Sequence, residues 1–176
     1  MVSSLDGIIA AKDNDMAWFN TLDHYGPGVE LTQQEMTDFV KTIDCYVMGS
    51  HTYVHARELS KAFGWPYGDT PIIVLTSRDL PLEKANITLY SRDLETLVND
   101  RLKPHYKNVW MVGGAVLAKA FIKSKLADDI RISVIPIILG GGKRFFDDIG
   151  HEQRMHLANV TPYKNGIVEL HYEIKK

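Results

Sequence analysis

Twice in this sequence an apolar run ends in glycine and passes at once into residues of helical pattern. Tyr46-Val47-Met48-Gly49 leads into Ser50-His51-Thr52, and Val109-Trp110-Met111-Val112-Gly113-Gly114 leads into Ala115-Val116-Leu117. If the runs are parallel strands, both junctions fall at the carboxyl edge of a sheet. There the free N–H groups and partial positive charge of a helix N-terminus attract anions. Glycine lets the backbone approach a phosphate that a Cβ would hold away, and Ser50 and Thr52 add hydroxyl donors. One junction of this kind is equally an ordinary turn. Two in a chain this short suggest two phosphates, as in a dinucleotide.

A third apolar run, residues 72–75, ends in Thr76-Ser77-Arg78. Hydroxyls and a guanidinium at a strand end suit a phosphate carried on a ribose, the feature that separates NADPH from NADH. The alternative is a solvated arginine after an edge strand. The common phosphate motifs are missing: there is no G-x-G-x-x-G, and Gly140-Gly141-Gly142-Lys143-Arg144 lacks the spacing and the Ser or Thr of a P-loop. That glycine run reads as a bend after a long strand, or as a mount presenting Lys143 or Arg144 to an anion. His51 and His55 share a helical face but lack the glutamate and third ligand of a zinc site, so no metal is expected. With no G-x-S-x-G, and with Cys45 opening an apolar strand, nothing points to a serine or thiol nucleophile. Hydride transfer stays open, because there the cofactor brings the reactive atom and the protein orients it.

The elements that must position these residues alternate. Strand-length apolar runs recur at residues 8–11, 46–48, 72–75, 87–90, 109–112, 130–139 and 167–174, several apolar on both faces as buried parallel strands are. Between them, Thr32 and Glu35 form a capping box ahead of Met36, Phe39, Val40 and Ile43 at helical spacing. Asp93 caps a helix carrying Leu94, Leu97, Val98 and Leu102, closed by Pro104. Val116, Leu117, Ala120 and Phe121 make one apolar stripe, opposite Lys119 and Lys123. This order predicts an α/β fold, a mostly parallel mixed sheet flanked by helices. After residue 130 there is room only for strands and a short turn near 144–149, and Asn165-Gly166 signals a hairpin of antiparallel C-terminal strands.

Composition narrows the partners. The 176 residues carry 45% hydrophobic and 24% charged side chains, the mix of one globular domain, here read as residues 1–176. A net charge of −2 argues against nucleic acid and against an anionic membrane as partner. A single cysteine fits a reducing compartment, and no run reaches the ~20 apolar residues of a spanning helix. Asp6, Asp13 and Asp15 stand where a signal peptide would be basic, so a cytoplasmic protein is expected.

Together these segments resemble the dihydrofolate reductase superfamily. They are closest to the branch holding the reductase domain of the riboflavin-biosynthesis deaminase-reductase and its small stand-alone relatives. The resemblance rests on Ser4-Leu5-Asp6-Gly7-Ile8-Ile9-Ala10, Val47-Met48-Gly49-Ser50-His51-Thr52-Tyr53, Ile73-Val74-Leu75-Thr76-Ser77, Val112-Gly113-Gly114-Ala115 and the stretch from Pro136 through Leu139-Gly140-Gly141-Gly142-Lys143-Arg144-Phe145-Phe146. It implies a dihydrofolate-reductase-like fold with a central sheet of about eight strands, NADPH across its carboxyl edge, and a homodimer. Gly49, Ser50, His51 and Thr52 would then face the pyrophosphate. Leu75, Thr76, Ser77 and Arg78 would surround the 2′-phosphate. Val112, Gly113, Gly114, Ala115, Val116 and Leu117 would line the pyrophosphate and nicotinamide side, and Ile9 and Ala10 would border the nicotinamide. Asp6-Gly7 would shape a turn.

Three features depart from the branch. Glu35 and Asp38 are the nearest counterparts of the carboxylate that holds a pterin, and Ile8 stands where riboflavin reductases carry lysine. The branch also starts its first strand several residues before the position of Met1, so the expectation is either a truncated or misassigned start or a short first strand. The implied activity is reduction of a small heterocycle, pterin-like or aminopyrimidine-like, by NADPH. The other readings are a nucleotide-binding sensor without turnover and a structural dimerisation domain that binds no nucleotide. The segment 12–30, with Trp18, Phe19, His24, Tyr25, Gly26 and Pro27, is expected to fold as a lid over the nicotinamide or as a plain surface loop.

Overall fold

The computed structural model describes residues 1–12, 15, 17–146 and 148–176. In chain order the first half contains β1 (Val2–Ser4), β2 (Ile8–Ala10), α1 (Gln33–Lys41), β3 (Cys45–Gly49), α2 (Ser50–Phe63), β4 (Ile72–Leu75) and β5 (Ile87–Tyr90). Then come α3 (Leu94–Thr96), continued by a wider π turn over Leu97–Leu102, β6 (Val109–Gly113), α4 (Ala115–Lys123), β7 (Asp129–Ile135), β8 (Lys143–Arg144), β9 (Met155–Pro162) and β10 (Val168–Ile174). The chain divides into two compact units, Met1–Glu35 with Lys119–Lys176, and Met36–Ala118.

The Met36–Ala118 unit is built on one four-stranded sheet of order β5-β4-β3-β6, all parallel. Its inner strand β3 explains why a continuous apolar run is needed: Cys45, Tyr46, Val47 and Met48 are each at most 1% exposed, so both faces are covered. Tyr46, Met48, Ile72, Val74 and Ile87 pack with Ile43 and Tyr53 into the core, each contributing roughly 1.5–3 kcal/mol by its burial. Trp110 closes this core edge-on to Phe39, ring centroids 5.4 Å apart. Burial pushes the Cys45 thiol up to about 12, which leaves it a neutral packing group. Asp93 caps α3 as its sequence position predicts, its carboxylate accepting from the Thr96 N–H at 2.8 Å.

In the other unit β1 runs parallel to β7, and β10 and β9 follow antiparallel, giving the order β1-β7-β10-β9. The Asn165-Gly166 turn joins β9 to β10, with Gly166 at φ 80. The eight strands are thus hydrogen-bonded four and four, with β2 and β8 as a separate antiparallel pair. Asp6 organises the loop after β7: it accepts the Ser4 hydroxyl at 2.6 Å and the N–H groups of Leu139 at 3.1 Å and Gly140 at 2.9 Å.

Four local expectations are corrected. The strand foreseen over 130–139 stops at Ile135, because Pro136 has no N–H to continue the ladder and Asp6 draws the next residues into a turn. Where a short turn was foreseen from 144 to 149, its first residue, Arg144, lies instead in β8, which pairs with β2; Asp147 lies outside the described residues. On α4 the buried stripe is Ala115, Ala118, Phe121 and Ile122 with Leu117, while Val116 is 78% exposed. On α1 Phe39 packs inward but Met36 and Val40 stay exposed. Strand β9, largely exposed along its length, escaped the search for apolar runs.

Candidate functional site

The two strand–glycine–helix junctions lie side by side at one rim. Met48 is in register with Gly113 across β3 and β6, and Gly49 with Leu75 across β3 and β4. Leu75 in turn pairs Tyr90 at the end of β5. Adjacent strands are about 4.8 Å apart, so four chain exits span a rim of about 15 Å. From β3 the chain crosses to β4 on one side, while β6 occupies the other. The gap between β3 and β6 is therefore a topological switch point, the place where parallel sheets open a crevice.

Each junction has its own backbone reason. Gly49 is the N-cap of α2 in extended conformation, φ −79 and ψ 160, and no side chain caps the helix. The first N–H groups of this 14-residue helix are thus left to the rim. A Cβ at Gly49 would meet only the Gly113 carbonyl oxygen, at 3.9 Å. Gly113 differs: its φ of 136 is a conformation that side chains rarely adopt, and the pairing of β3 with β6 shifts register beside it, passing over Val112. It joins Gly114 by a cis peptide bond. Ala115 and Leu117 turn inward from the first turn of α4, and Val116 points to solvent.

At the next exit, the Thr76 N–H donates to the Tyr90 carbonyl at 2.9 Å, and the Arg78 N–H donates to the Thr76 hydroxyl at 2.9 Å. That turn carries Ser77 and Arg78 outward; both are exposed, and no partner of the Arg78 guanidinium occurs among the described residues. Sequence reasoning missed its neighbour. Ser-Arg-Asp-Leu occurs twice, at 77–80 and 91–94, after two strands that prove adjacent and parallel. The second copy sets Arg92, also exposed, at the same edge, and the repeat itself was the available signal.

The remaining candidates belong to other elements. Ile9 and Ala10 lie half-buried in β2, in the other unit. Glu35 completes the capping box: the Thr32 N–H donates to its carboxylate at 3.0 Å, and its own N–H donates to the Thr32 hydroxyl at 3.2 Å. Hydrogen bonds from the Thr32 N–H and hydroxyl hold its carboxyl below the usual range. Asp38 pairs with Lys41 at 3.2 Å. Both exposed carboxylates thus serve α1. Of the segment 12–30, Asp13, Asn14 and Met16 lie outside the described residues. Its second half is tied down: Tyr25 donates to the Lys164 carbonyl at 2.7 Å, Val29 to Pro162 at 2.9 Å, and Lys164 bridges Glu30 at 2.7 Å.

A cavity of about 280 Å³ runs along α2 from Thr52 past His55 and Leu59 to Phe63, with Pro66 and Tyr67 opposite. Its walls are mainly apolar, and burial pushes the Tyr67 phenol up, so it stays a neutral donor. The sequence showed His55 only as half of an incomplete metal pair. In the other unit a wider depression of about 400 Å³ is lined by Lys125, Arg154, Lys175 and Lys176. Two of these cations are matched within the chain, Arg154 by Glu152 at 3.3 Å and Lys176 by Asp128 at 2.6 Å. Among the described residues no group of three His, Cys, Asp or Glu side chains could hold a metal ion, and no helix is long and apolar enough to cross a membrane.

These features define an α/β protein whose two strand–glycine–helix junctions share the carboxyl rim of four parallel strands. A family model for the RibD C-terminal domain matches residues 1–169, and the chain belongs to that family. It is 28% identical over 169 residues to the uncharacterised protein YwjB of Bacillus subtilis (strain 168), covering 96% of this chain and 92% of that one. With YyaP of the same organism it shares 26% over 178 residues, covering 96% and 89%. Among solved structures, a putative riboflavin biosynthesis protein from Shewanella sp. PV-4 superposes with a TM-score of 0.83 at 23% identity, covering 100% of this chain and 97% of that one. The Thermotoga maritima diaminohydroxyphosphoribosylaminopyrimidine deaminase/5-amino-6-(5-phosphoribosylamino)uracil reductase gives 0.68 at 15% identity, covering 99% of this chain and 55% of that longer one. The dihydrofolate-reductase-like fold is shared with these proteins.

Proposed function

We propose that this protein is an NADPH-dependent reductase of a small heterocycle of pterin or aminopyrimidine type. The observation that carries the reading is the register of Gly49, Leu75 and Tyr90, with Gly113 beside Met48, which brings four exits to one rim. The residues there fit a dinucleotide. Gly49 has no close neighbour where a phosphate would approach, the N-terminus of α2 is uncapped, and the Arg78 guanidinium has no protein partner among the described residues. Reduced nicotinamide, when bound, would supply hydride to a C=N or C=O carbon, with a proton from solvent completing the N–H or O–H and the oxidised nicotinamide left behind.

The protein's part is to hold and orient. The amides opening α2 and α4 would grip the pyrophosphate, and Thr76, Ser77 and Arg78 the 2′-phosphate. Orientation of this kind can lower a barrier by ~7–11 kcal/mol. Ile8, in place of lysine, favours a substrate without the phosphoribosyl group. A homodimer in the cytoplasm belongs to the same proposal.

A second reading, a nucleotide sensor without turnover, is favoured by one observation: both candidate carboxylates are engaged on α1. Titration with NADPH and NADH, followed by thermal shift, tests the binding. A ligand at 100 times its Kd should add ~2.7 kcal/mol of stability. NADPH should bind the tighter, and Arg78→Met should weaken NADPH about tenfold while leaving NADH unchanged. Binding of neither nucleotide refutes both readings. NADPH binding with no oxidation in the presence of any pterin or aminopyrimidine leaves the sensor.

A further inference from the structure

Beneath the rim, one buried side chain joins the helix that would face the pyrophosphate to the loop that would read the 2′-phosphate. Tyr53 is the fourth residue of α2, and it is fully buried. Its ring packs in the core, but its hydroxyl reaches the connection between β4 and β5. The hydroxyl donates to the Pro81 carbonyl at 2.9 Å and accepts the Glu83 N–H at 3.3 Å. One turn further along α2, Arg57 pairs with the Glu83 carboxylate at 2.5 Å, and its guanidinium lies 5.9 Å from the centre of the Tyr53 ring. Two residues of one helix therefore pin three groups of one loop.

The loop needs such a brace. It leaves β4 at Thr76 and enters β5 at Ile87 with no helix of its own, although parallel strands are usually joined through one. Before Pro81, its anchors are the Thr76 N–H on Tyr90, the local turn of Arg78 on Thr76 and the Leu80 side chain, which packs partly buried against the core. Beyond Glu83 it is held by Lys84, which bridges Asp69 at 2.8 Å. Without the Tyr53 hydroxyl and Arg57 contacts, residues 79–83 would keep only the apolar packing of Leu80, which fixes no direction, and Arg78 would sample more positions. An exposed guanidinium that must be ordered on binding loses affinity to that ordering.

We propose that Tyr53, Arg57 and Glu83 form a specificity brace. They are positioning residues that fix the distance from the amides of α2 to Arg78, so that one ligand meets both. The inference rests on the nucleotide reading above and adds to it the source of the preference for the 2′-phosphate. NADH shares the pyrophosphate but lacks that phosphate, so loss of the brace should act on NADPH alone.

The test measures the affinities of NADPH and NADH for the full chain and for Tyr53→Phe, Glu83→Gln and Arg57→Lys. Tyr53→Phe keeps the ring in the core and removes both hydroxyl contacts. Glu83 is nearly half exposed, so Glu83→Gln breaks the ion pair without disturbing the core. The expected result is a fall of about fivefold in NADPH affinity for Tyr53→Phe and Glu83→Gln. NADH affinity should be unchanged, and Arg57→Lys, which keeps the charge, should lie between wild type and the other two. Equal losses for both nucleotides, or no loss for either, would overturn the brace while leaving the nucleotide reading in place. Wild-type protein that binds neither would overturn the brace together with the reading beneath it.

Discussion

Gly49 separates the two explanations of a glycine between strand and helix, because its surroundings let folding and binding be tested independently. Its backbone, φ −79 and ψ 160, is open to any residue, and an added Cβ would meet only the Gly113 carbonyl oxygen at an ordinary 3.9 Å. Alanine is a poorer N-cap than glycine by a few tenths of a kcal/mol or more, but it stiffens the unfolded chain by about 0.4–1 kcal/mol. The net change should be within about 0.5 kcal/mol, a Tm shift of ~1–2 °C for a chain of this size. Serine should do better than neutral, since its hydroxyl can accept the unused N–H groups of α2, gaining about 0.5–1 kcal/mol. Phosphate binding moves the other way. A Cβ at the rim holds a phosphate oxygen off the amides, and one lost hydrogen bond to a charged group costs about 1.5–3 kcal/mol, or about 10- to 150-fold in Kd. Thermal melts without ligand, followed by NADPH titrations of wild type, Gly49→Ala and Gly49→Ser, give both quantities. Folded variants that bind NADPH as wild type does would refute the placement of the phosphate. A melting loss of more than about 4 °C would show that the fold itself requires the glycine.

At Gly142 the fold should be the loser. Its φ of 133 is strained for any side chain, and a Cβ would collide with the Ala10 carbonyl oxygen and press on Ile8. Gly142→Ala should destabilise by about 3–5 kcal/mol and lower Tm by ~8–15 °C, read by thermal melting. Asp6 gives a pH signature. The Ser4 hydroxyl first, then the N–H groups of Leu139 and Gly140, hold its carboxyl below the usual carboxylate range. Its folded pKa is depressed, so its contribution is present above the ordinary carboxylate pKa of about 3.9 and is lost as pH falls through the folded value. Melting curves from neutral to acid pH should show wild type losing more stability than Asp6→Asn, which starts lower at neutral pH; parallel curves would remove Asp6 from the anchoring of that loop.

Much of this protein is decided locally and was legible for that reason. The capping box at Thr32 and Glu35, the Asp93 cap and the Asn165-Gly166 turn each depend on groups within a few residues, so sequence spacing alone specifies them. The continuous apolar run of β3 likewise announced a strand covered on both faces. Other features depend on which segments become neighbours. The exposure of Val116 was decided by which face of α4 found a partner, and periodicity leaves that choice among several apolar residues open. Arg92 became a candidate only when β5 paired with β4, and Tyr53 drew notice only when its hydroxyl met a loop some thirty residues further along. The sequence alone determined the strand–glycine–helix units and the residue types at their ends. Tertiary structure decided that these ends share one rim, because strand order and register are set by packing between segments distant in the chain.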